Sequence, residues 1–328
     1  MSTVGIITQN VASESVSPDE AFTPPNQPDI LVICRQEVRD PDTASIVPDT
    51  FLKIYPFTHE ISLNKSSTKS KQNVKIAIYG KNRAWDTVQS GTIPVSAKAG
   101  IMGTFGNIYQ SIRGYSKGAV WIQINKDASS FLFVNLHLPM DKKAPGLGYD
   151  YRKRAFYVIL KKLKQMITPN TYLFVAGDLN FRINENNQDQ LDRLLKFEFP
   201  PIPLIDVSDL SNIPKQYTCK FKAIDNRVCR FQSVRPGYPA KDPRCFVEDR
   251  IPSRCDRILV GQQHLPLREY TTFALGSSCK FDHNGVYVVF NQPIPSRRRS
   301  FERPPLPLYK RKTRKYAINR QRRSTRKH

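Results

Sequence analysis

The feature that most constrains this chain is a succession of apolar runs, each four to six residues long: Val4–Thr8, Ile30–Cys34, Val74–Tyr79, Ala119–Ile124, Phe131–Leu136, Tyr172–Ala176, Arg257–Val260 and Val286–Phe290. Most end in a polar or charged cluster, as expected of buried strands with functional residues at their tips. Tyr151–Ile167 has helical spacing, with Phe156, Ile159, Leu160 and Leu163 on one side and Lys or Arg on the other. Asn187–Phe197 is a second helix candidate. Strands alternating with helices argue for α/β, yet several strands follow one another without room for a helix. A pair of packed mixed sheets fits this order better than one parallel sheet.

With 328 residues, 39% of them hydrophobic, the chain can bury a large core. Its net charge of +23 is uneven: residues 295–328 carry 14 Lys or Arg against the single acid Glu302, and the preceding residues 37 against 27. The basic body favours an anionic partner: a phosphorylated small molecule, an acidic membrane surface or nucleic acid. The opening MSTVGIITQN has no signal-peptide pattern and no run is long enough to span a membrane. The expectation is a soluble, intracellular, cytoplasmic monomer. Cys34, Cys219, Cys229, Cys245, Cys255 and Cys279 include no Cys-x-x-Cys pair, which favours reduced structural thiols over a metal or disulfide role. Residues 41–71, rich in Ser, Thr, Pro and Lys, read as a surface excursion with some strand in it. Residues 1–292 read as one catalytic domain and 293–328 as a disordered Pro/Arg/Lys-rich tail.

The chemistry concentrates at strand tips. Gly177 permits a sharp exit from the strand ending at Ala176, and Asp178 and Asn180 then face the same side if the chain stays extended. A carboxylate can hold or deprotonate water and an amide can donate to an oxygen gaining charge, which suits hydrolysis of a phosphate ester. A turn that caps the following segment explains the same residues equally well. Ile30–Cys34 leads to Gln36 and Glu37, a carboxylate suited to Mg²⁺. Phe131–Leu136 leads to His137, Asp282 and His283 precede the last strand, and Asp256 sits before another, where a buried carboxylate can orient an imidazole.

That ordered set resembles the endonuclease/exonuclease/phosphatase superfamily and, within it, the inositol polyphosphate 5-phosphatases, over about residues 4–290. Thr8-Gln9-Asn10-Val11 is similar to the family's first strand, Gln36-Glu37 to its Gln-Glu, and Val134-Asn135-Leu136-His137-Leu138 to its Val-Asn-Ser-His-Leu. Gly177-Asp178-Leu179-Asn180-Phe181-Arg182 matches almost letter for letter, Pro252–Leu259 resembles Pro-x-Trp-Cys-Asp-Arg-Ile-Leu, and Asp282-His283 matches the late Asp-His. The aromatic-Arg after Gly-Asp-x-Asn and the Cys-Asp-Arg-Ile-Leu run favour the phosphatase branch over the nucleases.

The resemblance implies a deoxyribonuclease I-like fold, a four-layer α/β sandwich of two mixed β-sheets flanked by helices. It also implies Mg²⁺-dependent removal of the 5-phosphate from inositol polyphosphates or phosphoinositides by direct water attack. Glu37, Asn10 and Asp282 are then the metal residues, and Asp178, Asn180, His137, His283 and Asp256 the catalytic ones. Lys117, Arg182, Lys220 and Arg250 would bind substrate. The departures fall in the ring pocket. Ile108–Ser116 interrupts the glycine-rich loop before Lys117, Thr218-Cys219-Lys220 replaces Thr-Tyr-Lys, Glu248 stands for a Lys, and Arg254 stands for the Trp before Cys-Asp-Arg.

Two rivals stand beside this reading: a metal-dependent nuclease of the same fold, and a weakly active homologue that holds an anionic partner. Lys310–Lys315 and Arg320–Lys327 have the two-cluster look of a nuclear localisation signal, and suit an anionic membrane surface or nucleic acid as well. Arg303-Pro304-Pro305-Leu306-Pro307 has the form of an SH3 or WW ligand.

Overall fold

β-branched and aromatic residues dominate the apolar runs, and in the computed structural model every one of those runs is a strand. The structure describes residues 3–11, 27–38, 49–64, 73–81, 84–95, 117–139, 147–182, 188–198, 200–211, 254–261, 267–273, 283 and 285–291. All belong to one unit, Met1–Pro293; residues 294–328, the basic tail among them, lie outside the described residues.

In chain order the elements are β1 (Thr3–Asn10), β2 (Ile30–Val38), α1 (Asp49–Ile54), β3 (Phe57–Ser62), β4 (Asn73–Gly80), β5 (Thr87–Pro94), β6 (Gly118–Lys126) and β7 (Ser129–His137). There follow α2 (Leu147–Lys164), β8 (Thr171–Asp178), α3 (Gln190–Phe197), β9 (Leu204–Asp206), β10 (Asp256–Gly261), β11 (Leu267–Phe273) and β12 (Gly285–Asn291). They form two six-stranded sheets, ordered β11-β12-β1-β2-β4-β3 and β5-β6-β7-β8-β10-β9. Each has one parallel pair at its centre, β1–β2 in the first and β7–β8 in the second, and antiparallel neighbours on both sides.

The sheets stack strand over strand, β1 on β8, β2 on β7, β4 on β6 and β3 on β5. Period-two alternation decides which side chains meet. Val4, Ile6, Val32, Cys34, Val74, Ile76 and Ile78 of the first sheet face Val120, Ile122, Phe133, Phe174, Ala176 and Ile258 of the second. The opposite face of the second sheet buries Leu132, Val134, Leu136 and Val175 under α2 and α3, through Phe156, Ile159, Leu160, Leu163, Leu191 and Leu194. Asp189 caps α3, its side chain accepting from the N–H groups of Leu191 and Asp192 at 3.0 and 3.3 Å. On the outer face of the first sheet Tyr55, just past α1, packs with Ile7, Leu31, Ala77, Tyr79, Tyr287 and Val289. This is the expected sandwich of two mixed sheets with helical flanks.

Four strands were not among the apolar runs: β5, β9 and β11, and β3, which falls in the excursion expected to hold some strand. These are the four edges of the two sheets. An edge strand buries less and carries a weaker apolar signal. β5 shows this best, with Thr87, Gln89 and Thr92 exposed along its length.

Candidate active site

A parallel pair at the centre of each sheet sends its C-terminal ends to the same rim as the N-terminal ends of its antiparallel neighbours. Asn10 and Gln36 are register partners at the tips of β1 and β2. In the other sheet Gly118, His137, Asp178 and Asp256 form one continuous row across β6, β7, β8 and β10. Contacts across the sandwich bring both rims together: Asn10 Nδ2 donates to Asp178 Oδ2 at 2.9 Å, and His137 Nε2 lies 3.4 Å from Glu37 Oε1 and 3.5 Å from Asp178 Oδ2. Lys117, just before β6, contacts His137 Nε2 with its ammonium and lies 3.9 Å from Glu37 Oε1.

Strict alternation would put Glu37 beside Arg35 on the outer face of its sheet. A register shift between Gln36 and Val38, with Glu37 at φ 59°, turns its side chain toward the other sheet instead. Asn180 is also left-handed, at φ 52°. β8 ends at Asp178, so the pair does not meet by extended alternation. It meets through a turn in which the Asn180 N–H donates to Asp178 Oδ1 at 3.1 Å, while Asn180 Nδ2 donates to the Leu138 carbonyl at 2.9 Å. The pair thus forms a local turn at the rim. Both residues are buried, and Asn180 Oδ1 has no hydrogen-bond partner. Gly177 has φ 139°, and a Cβ there would lie 2.0 Å from the Leu136 carbonyl oxygen, so only glycine lets β8 pass β7 at this point.

Asp256 Oδ2 lies 2.7 Å from His283 Nδ1. Ligand-type atoms of Asp178, Asp256 and His283 all fall within 4.8 Å of one another. The carboxylate–imidazole bond engages Nδ1 and so fixes the orientation of the His283 ring. The hard oxygen donors of the rim are Glu37, Asp178 and Asn10, a set that suits a small divalent cation better than an imidazole-centred one does.

Sequence reasoning missed two groups beneath the rim. Gln36 Nε2 donates to Thr8 Oγ1 at 3.1 Å and Asn135 Oδ1 at 2.5 Å, and Asn135 Nδ2 donates to the carbonyls of Arg35 and Lys75 at 2.9 and 2.6 Å. This buried clamp ties β7 to β1, β2 and β4 one step below Glu37 and two below His137. Its members Thr8, Gln36 and Asn135 lie within the motifs that carry the resemblance, but no sequence feature said that they meet. The second group surrounds Arg254. Together with Arg257 it meets Asp189, Asp192 and Asp206, with Arg254 Nη2 3.3 Å from both Asp192 Oδ1 and Asp206 Oδ2. Burial alone would raise the Asp206 pKa, but the two guanidinium groups outweigh it and hold the carboxyl below its ordinary range. Arg254 thus fills the place of the family's Trp with a buried ion-pair network that fixes the start of β10 beside Asp256.

Of the expected site residues, Asn10, Glu37, Lys117, His137, Asp178, Asn180, Asp256 and His283 share this rim. The Arg182 backbone is held by Gln190, whose N–H donates to Arg182 O at 3.0 Å and whose Oε1 accepts from Arg182 N at 3.2 Å. Lys220, Arg250, Asp282, Cys219, Glu248 and the segment 96–116 lie outside the described residues. Of the cysteines, Cys34 and Cys255 are buried, and burial pushes the Cys34 thiol up. Among the described residues no helix is long and apolar enough to cross a membrane.

Comparison with known proteins bears on this geometry. The chain is similar over 248 residues to mouse phosphatidylinositol 3,4,5-trisphosphate 5-phosphatase 2, at 27% identity, covering 70% of this chain and 18% of that protein. To the Saccharomyces cerevisiae polyphosphatidylinositol phosphatase INP53 it is 30% identical over 207 residues, 60% of this chain and 17% of the other. It therefore spans less than a fifth of the length of these curated relatives. Among solved structures, the inositol polyphosphate 5-phosphatase domain of SPsynaptojanin, in complex with inositol (1,4)-bisphosphate and calcium, aligns at TM-score 0.57 and 19% identity, over 88% of this chain and 83% of that one. TDP2 from C. elegans aligns at TM-score 0.56 and 16% identity, over 88% and 75%. These two likenesses speak to the fold. The family model for endonuclease/exonuclease/phosphatase family 2 matches residues 7–289, nearly the whole described body, and the chain belongs to that family.

Proposed function

We propose that this chain is a Mg²⁺-dependent phosphatase that removes the 5-phosphate from inositol polyphosphates or phosphoinositides. The observation that carries the proposal is the meeting, at one rim, of an oxygen-donor set with a carboxylate-held imidazole. Glu37, Asp178 and Asn10 offer hard oxygen atoms, which fits Mg²⁺. Glu37 and Asn10 would hold the cation, with Asp282 added by the family resemblance; once bound, it would supply charge neutralisation at the phosphate.

The chain's own groups do the rest. Asp178, fixed by Asn10 Nδ2 and the Asn180 N–H, aligns the attacking water and takes its proton. One proton of Asn180 Nδ2 is committed to Leu138, which leaves the second for a phosphoryl oxygen and Oδ1 as an acceptor for that water. Asp256 fixes the His283 ring through Nδ1 so that Nε2 faces the phosphate. His137 and the Lys117 ammonium add donors and positive charge beside Glu37. Attack is direct, with no covalent enzyme intermediate. The substrate class rests on the curated relatives and on the aromatic-Arg and Cys-Asp-Arg-Ile-Leu runs.

A panel of soluble inositol phosphates, phosphoinositide vesicles and nicked or single-stranded nucleic acid, each with and without Mg²⁺, tests the reading. Phosphate release from the inositol substrates, dependent on Mg²⁺ and abolished in Asp178→Ala with the fold intact, is the expected result. Nuclease activity without inositol-phosphate turnover would overturn the substrate class, and turnover retained in Asp178→Ala would overturn the mechanism.

A further inference from the structure

Outside the site, one row of side chains on the outer face of the first sheet breaks the pattern of its surroundings. Register places three successive rows across β1, β2 and β4: Gly5–Leu31–Tyr79, Ile7–Ile33–Ala77 and Gln9–Arg35–Lys75. The first two belong to an apolar cluster, with Leu31 and Ala77 buried among Tyr55 and Tyr287. The third is polar and lies nearest the rim, yet it is buried as deeply, with Gln9 1%, Arg35 5% and Lys75 7% exposed.

The charges in this row do not balance. Lys75 is paired with Glu60. Among the described residues Arg35 has no ion pair and its Nη1 no hydrogen-bond partner, and both polar side-chain atoms of its register neighbour Gln9 lack one too. An arginine guanidinium keeps its charge in a protein at neutral pH. Three orphaned polar atoms on adjacent residues are rare where nearly all buried polar groups are bonded. Water can satisfy hydrogen bonds, but it cannot offset a buried charge. What the described residues do not supply is therefore negative, small, and able to take N–H groups from a guanidinium and an amide at once.

We propose that Arg35 and Gln9 form an oxyanion site for a phosphate group, separate from the catalytic rim and behind Glu37. Arg35 Nη1 and Gln9 Nε2 supply the donors, while the charge of Lys75, beside them in register, is offset by Glu60. A phosphate that keeps one proton also donates to Gln9 Oε1. The site does not depend on the catalytic reading, because none of the three residues belongs to the phosphate-hydrolysing set.

Thermal unfolding of the full chain in EDTA tests it, with inorganic phosphate titrated against chloride at matched ionic strength. Wild type gains a saturable increase in Tm, on the order of 2–4 °C for each tenfold excess over Kd. Arg35→Met loses that increase and, in phosphate-free buffer, unfolds no lower than wild type, because the uncompensated charge has gone. Gln9→Met keeps the charge and gives a weaker response. Lys117→Met, which removes a cation at the catalytic rim, retains the response, so phosphate bound at the rim is told apart. A second arm compares co-sedimentation with phosphatidylinositol phosphate and phosphatidylcholine vesicles: Arg35-dependent binding to the former alone assigns the oxyanion to a lipid headgroup, and a response confined to inorganic phosphate assigns it to the free ion. Equal responses of wild type and Arg35→Met in both arms overturn the proposal, as does an Arg35→Met protein that unfolds well below wild type without phosphate.

Discussion

Replacing Asn135 with Leu removes the clamp between the two sheets while nearly conserving volume. Three hydrogen bonds go: to the carbonyls of Arg35 and Lys75 at 2.9 and 2.6 Å, and from Gln36 Nε2 at 2.5 Å. Gln36 keeps its bond to Thr8 Oγ1, so the loss on that side is small. The two carbonyls lose a partner in a region from which water is excluded. At about 1 kcal/mol per bond, and more where a buried group is stranded, Asn135→Leu should destabilise the fold by about 3 kcal/mol. Urea unfolding followed by circular dichroism reads this as a lower midpoint at unchanged slope. In a cycle with Gln36→Met, the pair should show about 1 kcal/mol of coupling, because each single substitution already removes the bond that the two residues share. A loss below about 0.5 kcal/mol, or additivity in the cycle, would refute the view that these bonds hold the sheets in register. If the proposed chemistry is right, phosphate release should also fall at temperatures where the variant is folded, since the clamp sits directly beneath Glu37 and His137.

Gly177→Ala should cost more than about 3 kcal/mol and remove activity, because the new Cβ meets the Leu136 backbone at a φ that L-residues avoid; near-native stability would refute it. Asp206, whose carboxyl is held low by Arg257 and Arg254, contributes stability that is complete above its ordinary value of 3.8 and lost as pH falls through its lower folded value. Asp206→Asn should therefore lower stability by about 3 kcal/mol at pH 7 and flatten the acid limb below about pH 4, and unfolding measured from pH 2 to 7 with an unchanged acid limb would contradict the ion-pair assignment.

The centre of the fold was legible because its strands are buried on both faces and read as uninterrupted apolar runs. The edges were not: β5, β9 and β11 alternate weakly or not at all, and only their partners make them strands. At the site, Asp178, His137, Asp256 and His283 could be read from their positions at strand ends. The direction of Glu37 could not, because period-two alternation points it to the wrong face and only the bulge at Gln36/Val38 redirects it. Nor could Arg254, which the resemblance marked as a departure in place of Trp. Its meaning depends on Asp189, Asp192 and Asp206, brought near by α3 with its cap and by β9. The Asn135 clamp was hidden for a related reason, since a polar residue in a buried strand reveals nothing of the carbonyls it will reach.

β1 lies between β2 and β12, so residues from the two ends of the body, Thr3 and Asn291, are register neighbours. During synthesis the first strand waits for the last with one side unpaired, and His283 emerges only just ahead of β12. Nearly the whole body must leave the ribosome before Asp256 acquires its imidazole, so a nascent or prematurely terminated chain has Asp178 and Asp256 without the His283 ring that meets Asp256. Topology thus sets the order of assembly: translation through β12 closes the first sheet and completes the Asp256–His283 pair together.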